Sequence, residues 1–118
     1  MSVSLWLERL PPSTNDLHMY GKGHAFSKPR YKAWQKDAIP ELQEQAKGVT
    51  VTGPYHLSIT AVRPDKRKRD IDNIIKPLSD ALQRAGIIEN DCYCEFVSAR
   101  WVTSGDGVAI RIEPVGME

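Results

Sequence analysis

One stretch of this chain carries an unmistakable helical stripe. Ile71, Ile74, Ile75, Leu78, Leu82 and Ala85 recur at spacings of three and four and stop at Gly86, the pattern of a helix with one apolar face and a glycine terminator. Before it, Leu57, Ile59 and Ala61 alternate with His56, Ser58 and Thr60. After it, residues 92–102 place Tyr93, Val97, Ala99 and Trp101 on one face, so both flanks read as strands. A one-sided helix must bury its stripe, and a sheet built from those strands is the nearest partner.

The rest of the chain fits that plan. Val3, Leu5 and Leu7 alternate with Ser4, Trp6 and Glu8 as a first strand ended by Pro11 and Pro12, and PPSTN makes a turn. Residues 21–27 (GKGHAFS) are glycine-rich and polar and are predicted to be mobile. Ser27 and Pro29 resemble a helix start, after which Tyr31, Trp34, Ala38 and Leu42 recur at helical spacing. Pro40 is expected to kink or shorten that helix, and Pro77 predicts either a late start near Lys76 or an irregular first turn for the next one. Residues 92–102 and 108–112 read as strands joined by TSGDG, a hairpin turn. The prediction is a single α+β domain over residues 1–118, element order β-α-β-α-β-β, with a short mixed sheet and two helices packed on it.

Composition excludes several classes. With 118 residues the chain is long enough for a core and short enough to lean on a partner subunit. It contains no apolar run near the ~20 residues of a membrane span. MSVSLWLERL has Glu8 and Arg9 inside its apolar stretch and no basic leader, so it does not read as a signal peptide, and a cytoplasmic protein is expected. Cys92 and Cys94, the two cysteines, would share a strand face without bridging comfortably, and His18, His24 and His56 do not add a zinc spacing. The net charge is only +1, but Arg63 to Arg69 hold five bases against one acid, a local +4 that leaves −3 for the remainder. Such a patch suits phosphate contacts.

That basic run, Lys66, Arg67, Lys68 and Arg69, leads directly into Asp70 and Asp72, then Asn73 and Lys76, with another acid at Asp91. Cations able to hold a phosphate backbone thus adjoin carboxylates able to hold a metal ion, the combination a metal-dependent nuclease requires. Asp70 and Asp72 stand just before a helix, where free N–H groups favour oxygen anions, and this also suits plain helix caps. Asn73 adds an oxygen ligand or cap. A calcium loop is excluded because Ile75 stands where its glycine would be.

RDIDNxxKxxxDAL, with the bases before it, ND after Gly86 and PPSTN after the first strand, resembles the RusA family of Holliday junction resolvases over most of the chain. The resemblance implies a symmetric homodimer that cuts four-way DNA junctions with Mg²⁺, one or two ions, Mn²⁺ being an expected substitute. It implies Asp70, Asp72 and Asp91 as metal-binding carboxylates and Lys76 as a catalytic or phosphate-contacting base. Lys66, Arg67, Lys68 and Arg69 would hold the flanking backbone, with Lys28, Arg30 and Lys32 as secondary contacts. Asn15 would help shape the site, although a turn has its own backbone use for asparagine. Phage or prophage carriage is a further expectation from the family.

A helix over residues 73–85 would be about 20 Å long, and residues 86–90 can span at most about 17 Å. Asp91 is therefore expected to complete the metal site of a partner subunit. Tyr31 and Trp34 fit base stacking beside their neighbouring cations, but their spacing fits a core stripe better; the 92–102 face is assigned to core ahead of interface. Asp80, Glu89 and Asp106 are left out of the site as solvated surface acids, Asp80 being able to pair with Lys76 or Arg84 on the helix surface. Two other functions stay open: a non-catalytic module for branched DNA, for which a third acid has no use, and a nuclease with broader fork or flap substrates.

Overall fold

The computed structural model describes the backbone of residues 2–12, 18–21, 24–27 and 29–116, and the side chains of 2–12 and 29–116. The alternating segments become strands β1 (Val3–Leu7), β4 (Tyr55–Val62), β5 (Cys94–Val102) and β6 (Val108–Pro114); between the first two come β2 (His18–Gly21), β3 (His24–Ser27) and helix α1 (Pro29–Ala46), and helix α2 (Asp72–Arg84) follows β4. The large sheet has the order β1-β6-β4-β5, antiparallel except for the parallel β4–β5 pair. The predicted α+β class, mixed sheet and pair of covering helices are all present.

Register stacks the apolar residues in cross-strand rows, Leu5 beside Ile110 beside Ile59 and Leu7 beside Val108 beside Ala61. Together with Tyr31, Leu42, Leu78 and Leu82 from the helices they form one buried cluster. The same rows run on into β5, where Ala99 pairs with Ile59 and Trp101 with Ala61. Burial declines there because β5 is an edge strand: Ala99 and Trp101 are only partly buried and Val97 is exposed. The assignment of this face to core therefore fails at Val97 and at Tyr93, which lies in a 3-10 turn (Asp91–Tyr93) and is also exposed.

Three further local expectations need correction. TSGDG does not close a hairpin, because β4 lies between β5 and β6; the loop instead steps across its end, where Arg63 N–H donates to the Val102 carbonyl and Val62 N–H to that of Gly107. Skipping one strand is about 10 Å, well within the reach of five residues. Gly107 has φ +76, and a Cβ there would run into the Leu7 carbonyl and the Trp6 ring, so this crossing demands glycine. The region predicted to be mobile, residues 21–27, carries β3 and the last residue of β2, and the two strands pair antiparallel from His18–Ser27 to Gly21–His24. Pro40 does not shorten α1, which continues to Ala46.

Helix α2 adopts the second alternative posed by Pro77. It begins at Asp72, and its entry is tightened by Asn73 N–H to the Asp70 carbonyl at 3.1 Å and Ile74 N–H to that of Ile71 at 3.3 Å, three-residue bonds of the 3-10 kind. Its end is a Schellman cap on Gly86 (φ +77), with Gly86 N–H bonded to the Gln83 carbonyl and Ile87 N–H to that of Leu82. Ile87 and Ile88 are buried, and a bridge between Val51 and Ile88 ties the returning chain down.

Candidate active site

The basic loop after β4 is organised by its one acid. Asp65 accepts from the Arg67 backbone N–H at 3.0 Å, from Arg67 Nε at 3.1 Å and from Arg69 Nη2 at 2.8 Å. These bonds, those of Arg69 first, hold its carboxyl well below the usual carboxylate range. A surface depression is lined by Arg63, Lys66, Arg67, Lys68, Arg69 and Asp70, so the first acid of the motif lies at the edge of the cationic loop. Asp72 opens α2, beside the positive end of its backbone dipole. The N-cap is Ile71, with no side-chain cap hydrogen bond, which weakens the reading of these acids as caps.

Asp91 reaches the site by the return segment. Asn90 caps the 3-10 turn by accepting from Cys92 N–H at 2.9 Å, and Asp91 N–H donates to Gln83 Oε1 at 3.0 Å. The Asp91 carboxylate then receives Lys76 Nζ at 2.9 Å, while the same ammonium lies 3.1 Å from Asp80. Asp91 and then Asp80 raise the Lys76 pKa above the ordinary lysine value, by hydrogen bonding to its charged form. Contrary to the expectation from chain span, the return segment brings Asp91 back to Lys76 on the second turn of its own α2. Among the described residues no three His, Cys, Asp or Glu side chains gather as a metal-ligand group, so Asp70, Asp72 and Asp91 of one chain do not close into a cage by themselves.

Asp80 makes the surface pair with Lys76 that its spacing on α2 allows, but it is not simply a solvated acid. Besides Lys76 it accepts from the Tyr31 hydroxyl at 3.3 Å; Gln35 Nε2 donates to Tyr31 at 2.9 Å and Arg84 to Gln35 at 3.4 Å. The Tyr31 pKa is pushed up to about 12, chiefly by burial and then by the Asp80 charge. The signal available in the sequence was the i, i+4 spacing of Lys76 and Asp80 on α2; the link to Tyr31 crosses between helices and left none. Tyr31 and Trp34 are core residues, stacked at 6.3 Å, with Trp34 Nε1 donating to the Arg9 carbonyl at 3.0 Å.

A cleft of about 700 Å³ extends beside this loop, with Arg9, Arg30, Arg63 and Arg69 along it. Arg30 shares this cleft with Arg9 and Arg63, Arg9 being paired with Asp37 at 3.0 Å. Lys32 is exposed on α1, outside that cleft. Lys28 and Asn15 lie outside the described residues.

The chain that folds into this mixed sheet, basic loop and acid-headed helix matches in sequence the model of one family, described as endodeoxyribonuclease RusA, over residues 10–113. The chain belongs to the RusA family. It is 37% identical over 115 residues to the crossover junction endodeoxyribonuclease RusA of Aquifex aeolicus, covering 95% of this chain and 91% of the relative. It is 27% identical over 112 residues to proteins of the same name from Escherichia coli strain K12 and from Enterobacteria phage 82, covering 92% of each chain. No helix among the described residues is long and apolar enough to cross a membrane.

Proposed function

We propose that this protein is a metal-dependent endodeoxyribonuclease that resolves Holliday junctions by paired symmetric nicks during DNA recombination and repair. The observation that carries it is the seating of Asp70 on the rim of the cationic loop, two residues before the acid-headed helix starts at Asp72. A polyanion can be held there within reach of carboxylates that would otherwise repel it.

The donor set suits Mg²⁺, with Mn²⁺ a substitute, since hard oxygen ligands are what these ions take and helix capping does not consume the Asp70 and Asp72 side chains. Asp70, Asp72 and Asp91 would hold it. Bound there, one or two ions would supply Lewis-acid polarisation of the phosphodiester and a lowered pKa for the attacking water. Lys66, Lys68 and the Asp65-ordered Arg67 and Arg69 hold the flanking phosphates, with Arg30 extending the track; Lys28 and Lys32 are further contacts. Lys76 offers a fixed positive charge for the oxygen that gains electrons as the bond breaks. Asn15 and Asn73 shape the site.

Two opposed cuts need two sites, and one chain carries one motif, so the working form is a homodimer. The β5 edge supports this: a nine-residue strand with an open side that displays Phe96 and Val97 to solvent and follows directly on Asp91 and the exposed Tyr93. Asp91 would complete the partner's site. The protein would act in the cytoplasm, and the phage 82 relative favours carriage by a phage or prophage.

The deciding experiment is cleavage of a synthetic four-way junction against linear duplex, with Mg²⁺ and with EDTA, by wild type and Asp70→Asn. Paired nicks that need Mg²⁺ and vanish in the variant while junction binding survives are expected. Tight junction binding without cutting by wild type would instead indicate a non-catalytic module.

A further inference from the structure

Beside Asp70 the surface opens into a pocket of about 330 Å³ walled by Leu10, Pro11, Pro64, Ile74 and Trp101. Its position follows from the fold. Trp101 ends the row of Leu7, Val108 and Ala61 at the uncovered side of the sheet, and Ile74 faces it from the first turn of α2. The Arg63 guanidinium lies over the indole ring, 5.3 Å from its centre, and fixes that wall by a cation–π contact. The indole Nε1 is buried and makes no hydrogen bond to a described residue, a costly condition for a donor in the protein alone.

The mouth of this pocket has a different chemistry. Lys68, Arg69 and Asp70 line it, and the same three residues line the cationic depression next to it. Phosphate-binding and metal-binding groups therefore meet at the entrance of an apolar cavity at the small end of ligand-pocket size. Asn73 also lies on its lining.

We propose that this pocket takes one unstacked nucleobase of the strand being cut, that of the nucleotide next to the scissile phosphate. The inference rests on the nuclease reading above and adds a site to it. Phosphates carry no sequence information, so the basic loop alone would cut any junction wherever it bound. A base drawn out at the crossover and set against Trp101 would locate the cut relative to sequence and would hold the phosphate over Asp70. The occupant is a base and not a duplex because the cavity is closed by α2 on one side and by the Leu10–Pro11 segment on the other.

The test is single-turnover cleavage of a junction in which each nucleotide around the crossover is replaced in turn by an abasic one. Wild type is expected to slow by about tenfold or more, the scale of losing one stacked base, at a single position flanking the cut. Trp101→Leu should be slow on the intact junction and lose no further rate on that abasic one. Leu10→Trp, which fills the pocket, should behave the same way, and serves if Trp101→Leu does not fold. An abasic scan that changes nothing at any position, or variants that lose the same factor on both substrates, would overturn the pocket while leaving the nuclease reading intact. No cutting of the intact junction by wild type would overturn both.

Discussion

Lys76 Nζ and the Asp91 carboxylate meet at 2.9 Å across fifteen residues of sequence, and this contact joins the returning chain to the second turn of α2. Asp80 holds the other side of the same ammonium. Lys76 is 58% exposed, so the pairs contribute under about 1 kcal/mol to folding; their value is orientation. Asp80→Asn is therefore expected to lower the thermal midpoint by no more than about 4–8 °C while reducing junction cleavage about tenfold, and Asp80→Glu should restore part of the rate. Equal losses in both variants, following the loss of stability, would reduce Asp80 to a packing residue.

The alkaline limb of the stability curve has a definite sign. Lys76 and Tyr31 both have raised pKa values in the folded protein, so their contribution is complete below the unfolded values and is lost as pH rises through the folded ones. Unfolding in urea should be insensitive to these groups at neutral pH and become easier from about pH 10 toward about 12 for Tyr31. Tyr31→Phe should flatten that slope, and phenolate absorbance followed during titration would show whether the buried hydroxyl is the group concerned.

Electrostatic binding can be counted. Each phosphate contact removed should lessen the slope of log affinity against log salt by about 0.9 on duplex arms. Lys66→Ala with Lys68→Ala should lessen it by about 1.8 if both touch phosphates. Asp65→Ala removes the acid that orders Arg67 and Arg69; it should weaken binding despite making the loop more positive, and tighter binding would disprove the ordering role.

Subunit mixing tests where Asp91 and Lys76 act. If they serve the partner's site, Asp70→Asn and Asp91→Asn proteins, each inactive, should regain about half of the nicking per mixed dimer, because one site is then intact. Lys76→Ala should complement Asp70→Asn but not Asp91→Asn. Mixtures that stay inactive would place all three residues on one chain.

The β5 edge gives a separate expectation. Val97→Glu adds a charge to an exposed position, so it should leave the thermal midpoint of the monomer nearly unchanged yet shift sedimentation from dimer to monomer, with cleavage lost together with the dimer. A variant that remains dimeric would move the interface elsewhere.

Much of the architecture was readable before any coordinates. The period-two runs at Val3–Leu7 and Leu57–Ala61 and the three-and-four spacing from Ile71 to Ala85 are local signals of which face is buried, and they became β1, β4 and α2 with Gly86 as terminator. The motif from Asp70 to Asp91 pointed to the family that residues 10–113 match. Strand neighbours were less legible: TSGDG is good hairpin chemistry, yet β4, with its buried face at the centre of the sheet, separates β5 from β6.

What the sequence determined by itself was therefore the list of elements, the α+β class and the chemical character of the motif, because side-chain period and residue type are properties of short segments. Tertiary structure alone decided that β5 lies at an edge with Val97 uncovered, that Asp80 binds Tyr31 and Lys76 together, and that Trp101 walls a cavity at Asp70. Those relations depend on which residues meet across the sheet and between the helices. Contacts between residues far apart in the chain are set by the competition of whole elements for the core, and no local spacing records its outcome.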